Sequence, residues 1–548
     1  MLPTKPNQLK SAIITAATVY CTGWGIYYLA QETVRRSHLR SRKKRYPLRA
    51  PLLPPHTVVS GARIASRVGV FSRNPSSTSH LGDGHLSQNG HADAKAKELE
   101  TQAAKEQLRR DSLLETEVST QAVSSQERRD WHGGASDVEL AAIHRRFSSL
   151  KILGRYANVV PEWREQGAWE WVFWKCFYSL FYQPRIWWDG GLARDLRSAE
   201  GRAKVEALLP VEAVDWALLA TEVPTSLGGY TVRDNADANP ASPASLLRER
   251  NVPRVAASHA NTFTWIGQST CLVQIEGITI LTDPVFGDQP VTSVFSPRRM
   301  RPMPCSFDDV LANVPVDVVL LTHNHFDHLD VSILHRFPSN VQFIVPVGLT
   351  SLLTKYGVRK ECIHEIDWWD KGKLDIDVPI LEKNGVLGSR TRRFDVTAVP
   401  ASHWSARSPL DTNTTLWNSY AIRVTKLEDP QNRQASPRSL FFCGDTGYSP
   451  SLFTAIGRAL GPFDMSCIPI GSYGPRWHMQ IQHMHVVESV QVTRDIGSKR
   501  GFAMHWGTWQ MSDERWDDPH RELHEELQKT GEDPQRLLTV PFGKVHTL

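Results

Sequence analysis

The 548-residue sequence has no CxxC pair, and its seven cysteines (Cys21, Cys176, Cys271, Cys305, Cys362, Cys443, Cys467) are scattered and odd in number. A disulfide framework shows an even count at close spacing, so these read as reduced thiols. That excludes a cystine-stapled secreted domain and favours the cytosol or mitochondrial matrix for the catalytic part. Cys443 and Cys467 lie in strand-like runs and read as small core residues. Net charge is also scarce, at +5 for the whole chain, which by itself implies no nucleic-acid partner. Strong hydrophobicity is missing even from residues 11–30, SAIITAATVYCTGWGIYYLA, an uncharged run of 20 that carries three Thr, two Gly and three Tyr. What is present is the composition of a globular enzyme, with 41% apolar residues and 18 Trp, in a chain long enough for a large core plus a tail.

Twenty uncharged residues match the length of a bilayer-spanning helix. Arg35, Arg36, Arg40, Arg42, Lys43, Lys44, Arg45 and Arg49 follow the run, while only Lys5 and Lys10 precede it. Basic residues beside a span stay on the cytoplasmic or matrix side, and no small-residue cleavage site marks a signal peptide. Residues 1–54 are therefore expected to be a retained membrane anchor with a basic flank. The pattern suits a mitochondrial signal-anchor, with another intracellular membrane as the alternative. Residues 55–145 are rich in Ser, Gly, Asn, His and charge, cannot bury enough apolar surface to order, and read as a flexible linker. Within it KELETQAAKEQLRRDSLLETEV is a marginal helix, and His80, His85 and His91 are assigned no metal. Residues 146–548 form the expected catalytic domain, with 146–255 as an aromatic-rich extension. There WEWVFWKCFYSLFYQPRIWW, Trp169 to Trp188, reads either as a helix packed on the core or as a membrane-interface surface.

From Thr262 the pattern changes to short apolar runs punctuated by turns. TFTWIGQSTCLVQIEGITILTDPVF reads as consecutive strands, and VDVVLLTH, VQFIVPV, FDVTAVPASH, SYAIRVTK, SLFFCGDTG, MSCIPIG and GFAMHWG as further ones. VSILHRF, LTSLLTKYG, PSLFTAIGRAL and VVESVQVTRDIG between them read as helices. This mixture predicts an α+β fold, two sheets flanked by helices in an αββα sandwich.

THNHFDHLD, Thr322 to Asp330, follows the buried strand VDVVLL. His323 and His325 alternate around Asn324 and point to one side of extended chain; Asp327 and His328 face a second position after the turn. Three histidines and a carboxylate within six residues suit zinc better than the oxygen-seeking Mg²⁺ or Ca²⁺. His403, Asp445 and His505 each sit just past an apolar strand, where loops gather at one edge of a sandwich. Singly they read as packed or turn residues; together they complete two coordination shells.

HxHxDH followed by a lone His, a Gly-Asp and a lone His resembles the metallo-β-lactamase superfamily. The resemblance implies a two-zinc site: His323, His325 and His403 on one metal, Asp327, His328 and His505 on the other, with Asp445 bridging. THNHFDHLD, IDWWD, SHW, FFCGDTGY, IPIGSYGPRW and the QH…HWGTW tail further resemble the N-acylphosphatidylethanolamine-hydrolysing phospholipase D family, over about residues 150–520. The chain departs from that family at Gln268, where a His is usual, at Phe326, which replaces a Tyr, and at MHVVES, which lacks a Pro-Glu-Glu turn.

The resemblance implies hydrolysis of N-acylphosphatidylethanolamine to an N-acylethanolamine and phosphatidic acid. Asp327 and Asp445 would serve catalysis, His483 would be the proton donor, and Gln482 a phosphate or amide contact. Asp283 and Asp330 are candidates to orient ligand histidines, with turn or cap roles equally open. Trp368, Trp369 and Trp477 are candidates for an acyl cleft, with packing the alternative. The expected partners are a phospholipid and a membrane, with a second copy of the chain also a candidate and no nucleic acid. A lactonase or a nuclease is the rival reading, but a nuclease would show Lys/Arg clusters near the site, and the main basic cluster lies beside residues 11–30. A membrane scaffold with a degenerate fold would have no reason to keep all seven ligands.

Overall fold

The computed structural model describes residues 6–48, 134–182, 190–222, 254–256, 261–291, 293, 296–381, 387–408, 410–427 and 438–548. Apart from residues 47 and 48, all of these belong to one compact unit. Thr262–Gly267 (β1), Thr270–Ile275 (β2) and Ile278–Thr282 (β3) are buried at every position, as strands covered on both faces must be. With Val318–Leu320 (β4), Gln342–Pro346 (β5) and Ile363–Ile366 (β6) they form a sheet of seven in the order β6-β5-β4-β3-β2-β1, closed by the C-terminal strand Val545–Thr547. The β3 to β6 pairings are parallel and the rest antiparallel.

Lys371–Leu381 (β7), Leu387–Pro400 (β8), Asn418–Lys426 (β9), Arg438–Phe442 (β10), Phe463–Pro469 (β11) and Ser498–Met504 (β12) make a second sheet of six in chain order. The two sheets meet face to face: the rings of Phe263 and Phe502 stack at 4.0 Å, and the buried Arg392 on β8 donates Nε to Glu276 O at 2.9 Å. Outside the first sheet, Phe307, Val310 and Leu353 cluster with Leu272, Leu281, Val319 and Phe343.

Six helices among the described residues have ten residues or more: Pro6–Arg45 (α1), Asp137–Arg146 (α2), Pro450–Leu460 (α3), Val486–Asp495 (α4) and Asp518–Thr530 (α5), together with Ala199–Leu208 in the aromatic-rich extension. α3 and α4 connect β10, β11 and β12. α3 buries Leu452, Phe453, Ile456 and Leu460, each contributing about 1.5–3 kcal/mol of burial. The result is the expected sandwich. VSILHRF, expected to be a helix, is only a 3₁₀ turn at Leu334–Arg336; Phe337 is forced extended (ψ 141) because Pro338 follows it.

Three N-terminal expectations change. The expected anchor is helical, but among the described residues no helix is long and apolar enough to cross a membrane; its Thr and Gly dilute it too far. Its basic flank is divided: Arg35 and Arg42 are 1% and 7% exposed, with Arg42 donating to Ser148 O and Ser149 O, whereas Arg36, Arg40, Lys43, Lys44 and Arg45 are exposed. Order also begins earlier than residue 146, because α2 is capped by the Ser136 side chain on Glu139 N and tied to α3 by Arg458–Glu139 at 2.7 Å. The rest of the expected linker, including the marginal helix, His80, His85 and His91, lies outside the described residues.

The packing reading of the aromatic stretch holds for part of it, while several of its rings are exposed. It is one helical run over 168–182 with a π-turn at Trp174–Tyr178. Trp174 is buried and, with Ser179, donates to Asp513 Oδ2, each at 2.7 Å. Trp171, Phe173, Phe177 and Phe181 are 52–71% exposed. Trp187 and Trp188 lie outside the described residues. Cys176, Cys271, Cys305, Cys362, Cys443 and Cys467 are free thiols, and Cys443 and Cys467 are buried.

Candidate metal centre

Four strand ends deliver the donor groups to one place. β4 runs directly into Thr322–His328, where His328 N and Leu329 N both donate to His325 O and turn the chain. β8, β10 and β12 end just before His403, Asp445 and His505. Gly444 lets the last two segments close on the first: its φ is +61, and a Cβ there would lie 2.6 Å from Thr322 Cγ2, so only glycine fits. His505 and Asp283 also hold positive φ, 61 and 34, backbone strain of the kind that persists where the surroundings over-determine it.

The donors fall into two halves. In the first, His323 Nε2 is 2.8 Å and His403 Nε2 3.2 Å from His325 Nδ1. In the second, Asp327 Oδ2 lies 3.3 Å from both His328 Nε2 and His505 Nε2. Asp445 Oδ2 sits between them, 3.0 Å from His328 Nε2, 3.1 Å from His505 Nε2, 3.8 Å from His403 Nε2 and 4.0 Å from His323 Nε2. All seven expected ligand residues are thus brought together, and the donor atoms within each half lie close enough to hold one ion.

Hydrogen bonding at the far side of the rings settles which nitrogen faces inward. Asp283 Oδ2 accepts from Thr322 Oγ1 at 2.7 Å and lies 2.8 Å from His328 Nδ1. With its proton given to Asp283, the Thr322 oxygen accepts from His323 Nδ1 at 2.9 Å. His403 Nδ1 donates to Gln482 O at 3.1 Å. His323 and His403 therefore carry their proton outside and turn a lone pair on Nε2 inward, the tautomer a metal requires, and His328, with Nδ1 on Asp283, leaves Nε2 as its inward atom. Inside, Asp445 Oδ1 is buried with no hydrogen-bond partner, and His328 Nε2 and His505 Nε2 meet the carboxylates of Asp327 and Asp445, so the donor set fits a metal on geometric grounds.

Electrostatics separates the halves. Burial pushes His325 down to about 4 and His403 to about 3, and holds His323 low with help from the surrounding histidines. In the second half burial is outweighed: Asp445, Asp327 and Asp283 lift His328, and Asp445 and Asp327 lift His505 to about 9. His328 and His505 in turn hold both carboxylates well below their usual range despite burial. Without metal, one half is three neutral imidazoles and the other an ionised network.

The remaining expected site residues divide. His483 lies against the cluster, its ring 5.2 Å from those of His403 and His505. Gln482 is adjacent, with Oε1 taking the Trp404 indole N–H at 2.6 Å. Trp477 borders the exposed aromatics, 6.1 Å from Phe173 and 5.7 Å from Tyr178. Trp368 and Trp369 are corrected to packing: both are buried, with indole N–H groups donated to Trp417 O and Phe147 O, so neither offers a face to a ligand. Asp283 orients His328, whereas Asp330 caps its own turn through Ser332 N and Oγ.

Four supporting residues went unforeseen in these roles. Gln268 donates Nε2 to Asp327 Oδ2 at 2.8 Å, which gives the substituted position a purpose. Asn158 Nδ2 donates to His403 O, and its Oδ1 accepts from His403 N, at 2.7 and 3.2 Å. Trp404 packs edge-on against His325 at 4.3 Å. Arg407 donates to Asn324 O and Leu329 O and covers the Phe326 ring at 4.2 Å. Only Gln268 (a departure inside TWIGQST) and Trp404 (inside SHW) carried a sequence signal; Asn158 and Arg407 carried none.

Comparison with known proteins agrees with this geometry. The Beta-lactamase superfamily domain matches residues 279–506. The chain is 29% identical over 413 residues to "N-acyl-phosphatidylethanolamine-hydrolyzing phospholipase D, mitochondrial" of Saccharomyces cerevisiae, covering 73% of this chain and 76% of the relative. It is 30% identical over 291 residues to "N-acyl-phosphatidylethanolamine-hydrolyzing phospholipase D 1" of Caenorhabditis elegans, covering 52% and 74%. An uncharacterized protein of Mycobacterium bovis is 34% identical over 299 residues, covering 53% and 70%. Fold, donor set and relatives agree on a metal-dependent hydrolase with a metallo-β-lactamase fold.

Proposed function

The chain belongs to the family of N-acyl-phosphatidylethanolamine-hydrolysing phospholipases D, and from that premise we propose that it is a zinc-dependent phosphodiesterase that cleaves N-acylphosphatidylethanolamine to an N-acylethanolamine and phosphatidic acid. Its seven ligands are His323, His325 and His403 in one half, Asp327, His328 and His505 in the other, and Asp445 between them. A zinc pair bound there would supply a water of lowered pKa and positive charge beside the phosphate oxygens.

The chain's own residues do the rest. Asp283 and Thr322 keep His328 and His323 in the ligating tautomer, and Gln268 keeps Asp327 aimed inward. One water is split across the broken bond: its oxygen goes to phosphorus, giving phosphatidic acid, and one of its protons ends on the N-acylethanolamine oxygen. His483, the buried imidazole beside the cluster that is not one of the seven ligands, offers its ring N–H to it. Burial holds His483 well below its ordinary pKa, so it acts there as a neutral hydrogen-bond donor. Gln482 stands beside it as a contact for the substrate amide or phosphate.

The observation that carries the lipid reading is continuity. The turn Arg476–Met479 leads into Gln482 and His483 and carries Trp477, whose ring packs against Phe173 and Tyr178, with Phe173 stacked on the exposed Phe177. An aromatic surface of this kind prefers the headgroup zone of a bilayer and would let the enzyme meet its substrate without extracting it. The yeast relative's name supports a mitochondrial location. The test is to incubate the purified zinc-loaded protein with vesicles of N-acylphosphatidylethanolamine, vesicles of phosphatidylcholine, and RNA. Phosphatidic acid should appear from the first, and not with Asp445→Asn. Cleavage of RNA alone would replace this reading by a nuclease.

A further inference from the structure

α1 was expected to serve a membrane, yet its best-buried charge faces the metal site's supports. Arg35 is 1% exposed. Its guanidinium donates Nη1 to Val160 O at 3.0 Å and, more weakly, to Asn158 O at 3.4 Å, and Nη2 to Trp163 O at 2.6 Å. Glu32, one turn earlier on α1, takes Nε at 2.8 Å and Nη2 at 3.0 Å. The planar fork thus gathers three carbonyls of one irregular segment, 158–163, and holds them with a charge neutralised on its own helix.

That segment carries Asn158. The Asn158 side chain is wholly buried and grips the backbone of His403 on both sides, Nδ2 to His403 O and Oδ1 to His403 N. His403 has no regular strand partner at this point, since β8 ends at Pro400. Its own backbone N and O pair with this amide and its ring with Gln482 O, while its neighbour Ser402 is held by Gly447 and Thr446. In the second half, by contrast, the backbone of His505 is fixed by Gln268 O within the sandwich itself.

We propose that Arg35 is a positioning residue for His403: α1, gripping the 158–163 segment through this guanidinium, sets through Asn158 the affinity of the three-histidine half for its metal, while the carboxylate half is independent of α1. The helix that precedes the catalytic domain is thereby part of the metal site. Removing the fork frees the 158–163 carbonyls, loosens Asn158 and widens the histidine half. Loss of an outer partner of this kind costs roughly ten- to a hundredfold in metal affinity.

The experiment uses the full-length zinc-loaded protein and a competing chromophoric chelator, which reads the two equivalents separately and needs no substrate. Failure here would therefore leave the lipid reading standing, and failure of the lipid assay would leave this one standing. Asn158→Ala should weaken one equivalent by roughly ten- to a hundredfold, and Arg35→Met should weaken the same equivalent by about tenfold. The double variant should be no weaker than Asn158→Ala alone, because both act along one path. Arg35→Lys, which keeps the charge and loses the fork, should fall between Arg35→Met and the parent, and it replaces Arg35→Met if that variant does not fold. Arg40→Ala, at an exposed position of α1, should release zinc as the parent does. Release curves for Arg35→Met and Arg35→Lys that match the parent, equal weakening of both equivalents, or additive effects in the double variant would each overturn the proposal.

Discussion

The two halves of the metal centre use similar side chains and are supported in different ways. His323, His325 and His403 meet as neutral rings: burial leaves their lone pairs free, and their supports are a hydroxyl, a carbonyl and an asparagine amide. Asp327, His328 and His505 meet as charges, with Asp283 and Gln268 behind them. The first half is shaped by hydrogen bonds to loops outside the sheets. The second is shaped by ion pairs inside the sandwich. Half-sites that look equivalent in a sequence motif should therefore differ in pH response and in which distant residues they depend on.

The sharpest way to break this contrast is at the group both halves share. Asp445→Ala removes the one oxygen within 4.0 Å of ring nitrogens from both halves. Metal binding by both halves should weaken by more than about a hundredfold, beyond the range seen for outer partners; loss in only one half would show that the halves are separable there. Proton competition comes next. A proton on His505 must leave before Nε2 can bind metal, and the free site holds it up to about pH 9. Affinity of the carboxylate half should thus rise with pH from 5.5 to 8, roughly tenfold per unit for each proton displaced. The histidine half, with His325 near 4 and His403 near 3, should be flat across that range. Two parallel slopes in a chelator titration would erase the distinction. The smallest effect is expected at Gln268→Ala, which takes the amide from Asp327 and should weaken only the carboxylate half, by about tenfold. An effect on the histidine half instead would misassign Gln268.

Much of this centre was legible because it is local. His323, His325, Asp327 and His328 lie on one turn after one buried strand, so alternation and the turn alone predict that they converge. His403, Asp445 and His505 were readable because each follows an apolar strand, and strand ends of a sandwich gather at a common edge. Trp368 and Trp369 were not readable, since nothing in their neighbours shows whether an indole meets solvent or a carbonyl 49 or 222 residues away. The basic run after residue 30 looked like a lipid-facing flank because charge count is visible in a sequence and the facing direction of a helix is not. Arg35 and Arg36 are neighbours, yet their side chains are 1% and 57% exposed.

The sequence by itself determined which atoms are available to a metal and which strands present them, because side-chain chemistry and the two-residue period of a strand are written residue by residue. Only the tertiary structure decided what holds those atoms still: Asn158 reaching His403 across 245 residues, and Arg35 reaching the same segment across 123 to 128. Such contacts depend on how separate pieces of chain pack, and packing is a property of the whole core that no local pattern encodes.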